Sequence, residues 1–155
     1  MSVLINAKID ALLEATSRSF YPTLKYLPKK IRGQIGLLYL LARVADTIAD
    51  SKHGETKVLL DLLTSYNDVA QGRSDTLPDF SQIAAIQTNE NEAKLLQNVQ
   101  DVVDGLAVYD SEDQQRILEC LGHLRFGVML LTLIYFVSFG VMLLTLIYFV
   151  SFGVM

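Results

Sequence analysis

An all-α fold is the class that the sequence predicts for residues 1–125. Apolar residues recur there every three or four positions, which is the spacing of one face of an α-helix. No segment before position 126 shows the strict apolar–polar alternation that is typical of a half-buried β-strand. The length of 155 residues is enough for one domain with a buried core.

The helices are predicted in chain order from these apolar positions and from the prolines and glycines between them. The first covers Val3–Thr16. The segment SRSFYPTLKYLP interrupts it because it contains two prolines, and a long helix then runs from near Pro28 to about Ser51. Further helices are predicted over Glu55–Gln71, Asn91–Val108 and Arg116–Leu124, with a loop at GRSDTLPDFS.

Helical spacing also predicts which residues of these later helices face the core. They are Leu59, Leu60, Leu63 and Val69 in one helix and Leu95, Leu96, Val99, Val102, Val103 and Leu106 in the next. Ser111 and Gln114 have the S-x-x-Q form of a capping box, which predicts that the last helix opens there. Cys120 lies among apolar positions of that helix, so burial by packing is predicted for it.

The long helix carries its charges in an unusual arrangement. At about 100° per residue, Tyr39, Arg43, Asp46 and Asp50 all lie in one stripe roughly 60° wide. Most of the remaining surface is apolar, so the helix is expected to be buried on most sides. Buried charges must be paired, hydrated or bound to a metal. Two interpretations are open: the stripe faces a wet cavity or a partner, or it is a narrow solvent-facing strip in which Arg43 pairs with Asp46 or Asp50.

The two aspartates of this stripe have the chemistry of a cation site. Asp46 and Asp50 lie one helical turn apart and can present oxygens to a hard divalent cation. Mg²⁺ prefers such ligands and completes its shell with water and substrate phosphates. Arg43, one turn earlier, can grip a phosphate through its planar guanidinium. The D-x-x-x-D spacing alone is a weak signal, because many solvated helices carry it by chance.

The segment before the long helix makes the signal more specific. SRSFYPTLKYLP followed by IRGQIGLLYLLARVADTIADS resembles the squalene/phytoene synthase family, most closely its bacterial squalene-forming, hopanoid-pathway members. The resemblance is close over Leu12–Ser51 and looser, by helix order, to about His123. Its specific part is the combination of serine–basic–serine–phenylalanine, a Leu-Pro turn and Tyr-x-x-x-Arg-x-x-Asp-x-x-x-Asp.

The resemblance implies both a fold and a function. The fold is the N-terminal part of an all-α isoprenoid synthase, and the function is head-to-head condensation of two farnesyl diphosphates toward squalene. Asp46 and Asp50 would hold Mg²⁺ and Arg43 would bind diphosphate oxygens, so these three residues would carry catalysis. The implied substrate-binding residues are Ser17, Arg18, Ser19, Phe20, Tyr21, Tyr39 and Arg43. NADPH is used by members that reduce their product, and nothing in this sequence indicates it.

This chain departs from the family in one important respect. The family has a second aspartate-rich helix that comes later than position 125, where this sequence changes character. We therefore expect a truncated and inactive prenyl transferase. Asp101 and Asp104 are spaced three apart and could mimic a second carboxylate pair, but a solvated helix face is the favoured interpretation.

Residues 126–155 form a separate unit in the sequence. Every charged residue precedes them, and FGVMLLTLIYFVS occurs at Phe126–Ser138 and again at Phe139–Ser151. The unit is longer than the roughly 20 apolar residues that span a bilayer as a helix. It is therefore either a C-terminal membrane anchor or an accident of duplication at the gene end, and the identical copies favour the accident. The predicted domains are 1–125 and 126–155.

Composition narrows the function classes further. A net charge of −4 offers no basic footprint for nucleic acid. The single cysteine excludes an internal disulfide and fits a reducing compartment. Charged residues Lys8, Asp10 and Glu14 interrupt the first apolar positions, so no signal peptide is predicted. We expect a cytoplasmic protein, or one at the cytoplasmic face of a membrane through residues 126–155. The alternative function is a non-catalytic, tail-anchored helical membrane protein.

Overall fold

The computed structural model describes residues 5–17, 20–51 and 55–131, with side chains as far as His123. Regular structure in these ranges is helical and contains no β-strand, which confirms the all-α prediction. The helices are α1 (Ala7–Ser17), α2 (Phe20–Leu24), α3 (Lys29–Ala49), α4 (Thr56–Ala70), α5 (Ser81–Ala85), α6 (Glu90–Gln97), α7 (Val99–Asp104) and α8 (Ser111–Leu131), with a 3₁₀ turn at Gly105–Val108.

Helix α3 is the centre of the described fold. It packs against α1, α2, α4, α6, α7 and α8, and residues 37–41 are at most 2 % exposed. Pro28 precedes its first turn, where a proline N–H is not missed because the first turn has no intrahelical acceptors. The helix ends where the backbone N–H of Asp50 donates to the carbonyl oxygen of Asp46 at 2.8 Å. The predicted limits near Pro28 and Ser51 and the predicted burial are therefore confirmed.

The N-terminal segment differs from its prediction in two places. Asn6 caps α1 by accepting a hydrogen bond on Oδ1 from the Ile9 N–H at 2.9 Å, so the helix begins at Ala7 and not at Val3. The segment predicted as an interruption contains the short helix α2. Pro22 falls in its first turn, where proline is tolerated, so the prolines shorten the helix but do not prevent it.

Helix α4 packs on α3 and corrects one core prediction. The fully buried Tyr66 donates its hydroxyl to the Leu41 carbonyl oxygen at 2.8 Å. Val69 is buried, and Leu59 and Leu63 are partly buried against the core, as predicted. Leu60, however, is 58 % exposed. It lies about 100° around the helix from Leu59, which places it outside the stripe that faces α3.

The single helix predicted over residues 91–108 is divided in the structure. Asn98 ends α6 with φ −121° and ψ 24°, and a 3₁₀ turn follows α7. The core residues predicted for this region are nevertheless confirmed. Leu95, Leu96, Val99, Val102 and Leu106 are buried, and Val103 packs against the core. Helix α5, which lies between the predicted loop and α6, was not predicted.

The cap of helix α8 lies one residue earlier than the S-x-x-Q pattern indicates. Asp110 caps it, since its Oδ1 accepts from the Asp113 N–H at 2.9 Å. Gln114 donates from Nε2 to the Tyr109 carbonyl oxygen at 2.7 Å and takes no part in a box with Ser111. The capping box is therefore wrong, because an aspartate one position earlier is as good a cap as serine.

The backbone of α8 continues as one helix past Arg125 to Leu131. Cys120 is half-buried on it and packs against the core, and burial raises the pKa of its thiol. Residues 132–155 lie outside the described residues, so the division at 125 and both interpretations of the repeat remain predictions. Within the described part of the chain, no helix has the length and apolarity that crossing a membrane requires.

Two glycines provide a matched test of this backbone. Gly72 ends α4 with φ +69°, and its N–H donates to the Val69 carbonyl oxygen at 3.0 Å. Gly122 lies inside α8, and at both glycines an added Cβ meets nothing within 4 Å. We expect Gly72→Ala to lower the free energy of unfolding by about 1 kcal/mol because alanine is strained at positive φ, and Gly122→Ala to raise it by about 0.5–1 kcal/mol. Urea unfolding followed by helical circular dichroism measures both; equal signs would contradict the backbone assignment.

Candidate functional site

Helix α3 places the predicted stripe along a gradient from core to solvent. Tyr39 is 2 % exposed, Arg43 is 27 % exposed at its side chain, Asp46 is partly buried and Asp50 is exposed. The spacing on one helix face is thus as predicted. That the four side chains line one concave surface remains a prediction.

The ion pair of Arg43 is neither of the two that the sequence suggested. Its Nη2 binds Oε1 of Glu92, which reaches it from α6. Both side chains are about a quarter exposed, at 27 % and 23 %. The Nε of Arg43 is buried and has no hydrogen-bond partner among the described residues. Arg43 is therefore held from one side by a second helix and keeps part of its guanidinium unsatisfied.

Asp46 is the electrostatically unusual member of the stripe. Burial raises the pKa of its carboxyl to about 6; the charge of Arg43 opposes this rise, and the charge of Asp50 adds to it. Within the described part of the chain, the carboxylate of Asp46 takes part in no hydrogen bond and no ion pair. It also lies in the last turn of α3, where the helix dipole disfavours negative charge. The fold therefore holds this carboxylate at a cost, with its oxygens available to a cation.

Tyr39 connects α3 to the N-terminal helices. Its hydroxyl donates to the Thr16 carbonyl oxygen at 3.3 Å, and its ring lies 4.8 Å from that of Phe20, with an interplanar angle of 34°. Burial is the main cause of the raised pKa of its phenol, which the Arg43 charge counteracts. Tyr39 and Phe20 thus form a buried aromatic pair at the Tyr39 end of the stripe.

The other predicted substrate-binding residues that the structure describes lie at the end of α1 and in α2. Ser17 is buried and donates its hydroxyl to the Leu13 carbonyl oxygen of its own helix, while Phe20 and Tyr21 are buried. The Tyr21 hydroxyl donates to Oδ2 of Asp10 at 2.9 Å, and burial and this contact raise the pKa of Tyr21 to about 12. Arg18 and Ser19 lie outside the described residues.

Glu92 and Asp10 contact predicted site residues, and sequence reasoning missed both. Glu92 lies 49 positions from Arg43, and Asp10 lies 11 positions from Tyr21 on a different helix. No spacing rule links acidic residues to partners on other helices. The available signal was indirect: Arg43 lies on a largely buried helix, so its guanidinium needed a partner from the same helix or from another one.

The carboxylates of α7 have ordinary surface partners. Asp101 pairs with Lys8 of α1 at 2.6 Å, and Asp104 accepts from Gln100 at 2.7 Å. These two contacts agree with the prediction that Asp101 and Asp104 lie on a solvated helix face. Across the described ranges, no group of three or more histidine, cysteine, aspartate or glutamate residues is placed to hold a metal ion. The pair Asp46 and Asp50 is thus the acidic part of the candidate site.

Comparison with known proteins places these features in a family. A family model described as squalene/phytoene synthase matches residues 13–127, which is well over half of the chain and includes the whole of α3 and α6. Neither a curated protein nor a solved structure matches the chain. The match supports the family resemblance of the sequence and does not test its hopanoid subtype.

Proposed function

Because this chain belongs to the squalene/phytoene synthase family, we propose that the charged stripe of α3 is a site for a prenyl diphosphate and Mg²⁺. The family has a prenyl transferase type of function, generally depends on a divalent metal and binds prenyl diphosphates. In this chain, Asp46 and Asp50 hold the cation and Arg43 binds diphosphate oxygens.

The state of Asp46 is the observation that supports the proposal most. A carboxylate that is partly buried, has a raised pKa and has no hydrogen-bond or ion-pair partner among the described residues weakens the apo fold. Such groups are concentrated at functional sites, where a ligand supplies the missing interaction. Two carboxylates on adjacent turns fit Mg²⁺, which is usually held by one or two carboxylates together with water and substrate phosphates.

Each residue then has a definite task. When bound, Mg²⁺ supplies the Lewis acidity that favours departure of diphosphate. Arg43 exchanges Glu92 for diphosphate oxygens and places its fork of donors against the developing charge. The buried rings of Tyr39 and Phe20 exclude water from the Tyr39 end of the stripe and offer an apolar surface to the prenyl chain. The proposed substrate is farnesyl diphosphate, and the proposed product class is squalene.

Binding to farnesyl thiodiphosphate, measured by calorimetry with and without Mg²⁺, tests this site. We expect Mg²⁺-dependent affinity that falls by about tenfold or more in Asp46→Asn and in Asp50→Asn. Asp61→Asn, an exposed carboxylate on α4, is the control and should bind as the wild type does. Affinity that is equal without Mg²⁺, or unaffected by both substitutions, would refute the site. A non-catalytic membrane protein, the alternative function, would show no Mg²⁺-dependent affinity.

Turnover is a separate expectation. The described residues present one carboxylate pair at this site, and one pair holds only part of a metal–diphosphate cluster. We therefore expect no squalene and no presqualene diphosphate when the chain is incubated with farnesyl diphosphate and Mg²⁺, as measured by mass spectrometry of the extracted products. Product formation that disappears in Asp46→Asn would overturn this expectation and would direct attention to Asp101 and Asp104.

A further inference from the structure

The turn between α2 and α3, residues 25–30, combines exposed lysines with an aromatic residue that is almost fully exposed. Tyr26 is 90 % exposed, and Lys25, Lys29 and Lys30 around it are also exposed. No acidic residue occurs in the sequence between Glu14 and Asp46. In a chain with a net charge of −4, this turn is a local concentration of positive charge. We call residues 25–30 the basic turn.

The basic turn is fixed in place by the helices on either side. Nη2 of Arg32 donates to the carbonyl oxygens of Lys25 at 2.6 Å and Leu27 at 2.8 Å. The N–H of Tyr26 donates to the Thr23 carbonyl oxygen at 3.1 Å, and the chain enters α3 through Pro28. The backbone on both sides of Tyr26 is therefore fixed by hydrogen bonds, and the exposure of its side chain is a feature of this ordered turn. A partner that contacts it need not order the turn first.

The lysines of the turn differ in their surroundings. The Nζ of Lys25 lies 6.0 Å from the centroid of the Tyr21 ring, so this lysine is directed toward an aromatic face of its own fold. Lys29 and Lys30 form no ion pair within the described part of the chain. These two lysines supply the charge that is available to a partner.

We propose that the basic turn is a contact surface for an anionic lipid bilayer. Tyrosine is enriched at the level of lipid headgroups because its ring is apolar and its hydroxyl is polar. Lysines close to an anionic bilayer are attracted to it over about one Debye length. Nucleic acid fits less well, since the turn is short and the whole chain is acidic. The turn and Asp50 lie at opposite ends of α3, about 30 Å apart along the helix, so this inference does not depend on the proposed function.

The absence of tryptophan from the sequence allows a local test in the full chain. The variant Tyr26→Trp carries one tryptophan, whose emission should shift to shorter wavelength with phosphatidylglycerol vesicles and be quenched by brominated lipid. Adding Lys29→Gln and Lys30→Gln should weaken the vesicle affinity reported by this residue by about tenfold or more. Raising the salt concentration from about 0.05 M to about 0.5 M should weaken it similarly. Leu60→Trp, on the exposed side of α4, is the matched reporter and should remain unshifted.

The local readout is needed because residues 126–155 are apolar and could carry the chain to vesicles by themselves. Sedimentation with vesicles without a shift of the residue-26 emission would overturn the proposal. An equal shift with phosphatidylcholine vesicles, insensitive to the two lysine substitutions, would overturn it as well. A shift with single-stranded DNA or an acidic protein and none with anionic vesicles would assign the turn to another class of partner. Circular dichroism of each variant confirms that it is folded.

Discussion

Glu92→Gln is expected to lower the free energy of unfolding by about 1–2 kcal/mol. The pair that it disrupts joins α6 to the central helix α3, and both side chains are about a quarter exposed. Removing one partner of a fully buried pair costs about 3–5 kcal/mol, and a surface pair contributes about 0–1 kcal/mol. Glutamine keeps an oxygen that can accept from Arg43 and removes only the charge, so an intermediate cost is expected.

The matched control for this substitution is on α8. Glu112 pairs with Arg116 at 2.6 Å, one turn along the helix, with side chains that are 74 % and 47 % exposed. Glu112→Gln should change the free energy of unfolding by less than about 0.5 kcal/mol. Urea unfolding of both variants compares the two pairs. Equal effects would mean that the Arg43 pair is no more than a surface contact.

The same substitution should affect ligand binding in the opposite direction. Glu92 occupies the guanidinium that is proposed to bind diphosphate, and its negative charge repels that ligand. Glu92→Gln is therefore expected to raise the affinity for Mg²⁺-diphosphate by about tenfold, equivalent to about 1.4 kcal/mol. A variant that is less stable yet binds more tightly identifies Glu92 as a competitor of the ligand. Weaker binding would show instead that Glu92 positions Arg43 for it.

The sequence predicted the central helix well because its signals are local. Pro28 at one end and the polar residues near Ser51 at the other define α3, and its charged stripe follows from helical geometry alone. The family resemblance rests on the same stretch and is confirmed by the match over residues 13–127. The prediction of the α8 cap was wrong for an equally local reason. Asp110 replaces Ser111 as the cap, since aspartate and serine cap a helix almost equally well.

The partners within the site could not be predicted in the same way. Arg43 had two aspartates one and two turns away on its own helix, yet it pairs with Glu92 from α6. Which carboxylate binds a guanidinium depends on how two helices pack, and helical periodicity contains no information about that choice. Tyr21 and Asp10 show the same limit on a smaller scale, because the packing of α2 against α1 decides which acidic residue the tyrosine hydroxyl meets.

Asp46→Asn is expected to stabilise the apo protein at neutral pH by about 1–2 kcal/mol. The pKa of Asp46 is raised from 3.8 to about 6, mainly by burial. The folded state therefore favours the protonated carboxyl more than the unfolded state does. The corresponding stability is fully present below about pH 4 and is lost as the pH rises through about 6, since the charged form must then be buried. A shift of one pKa unit corresponds to about 1.4 kcal/mol, which partial exposure of the site reduces.

Asparagine has nearly the shape of the protonated aspartate and cannot ionise, so the difference between variant and wild type should itself depend on pH. With EDTA present, urea unfolding should show about equal stability at pH 4 and a more stable variant at pH 7.5. Asp61→Asn, at an exposed position of α4, should show no such divergence. Addition of Mg²⁺ and a prenyl thiodiphosphate should reverse the order at pH 7.5, because a ligand that binds only the wild-type site stabilises it by mass action. A variant less stable than the wild type at pH 7.5 without ligand would mean that the Asp46 charge supports the fold through Arg43, and the carboxylate would then be structural.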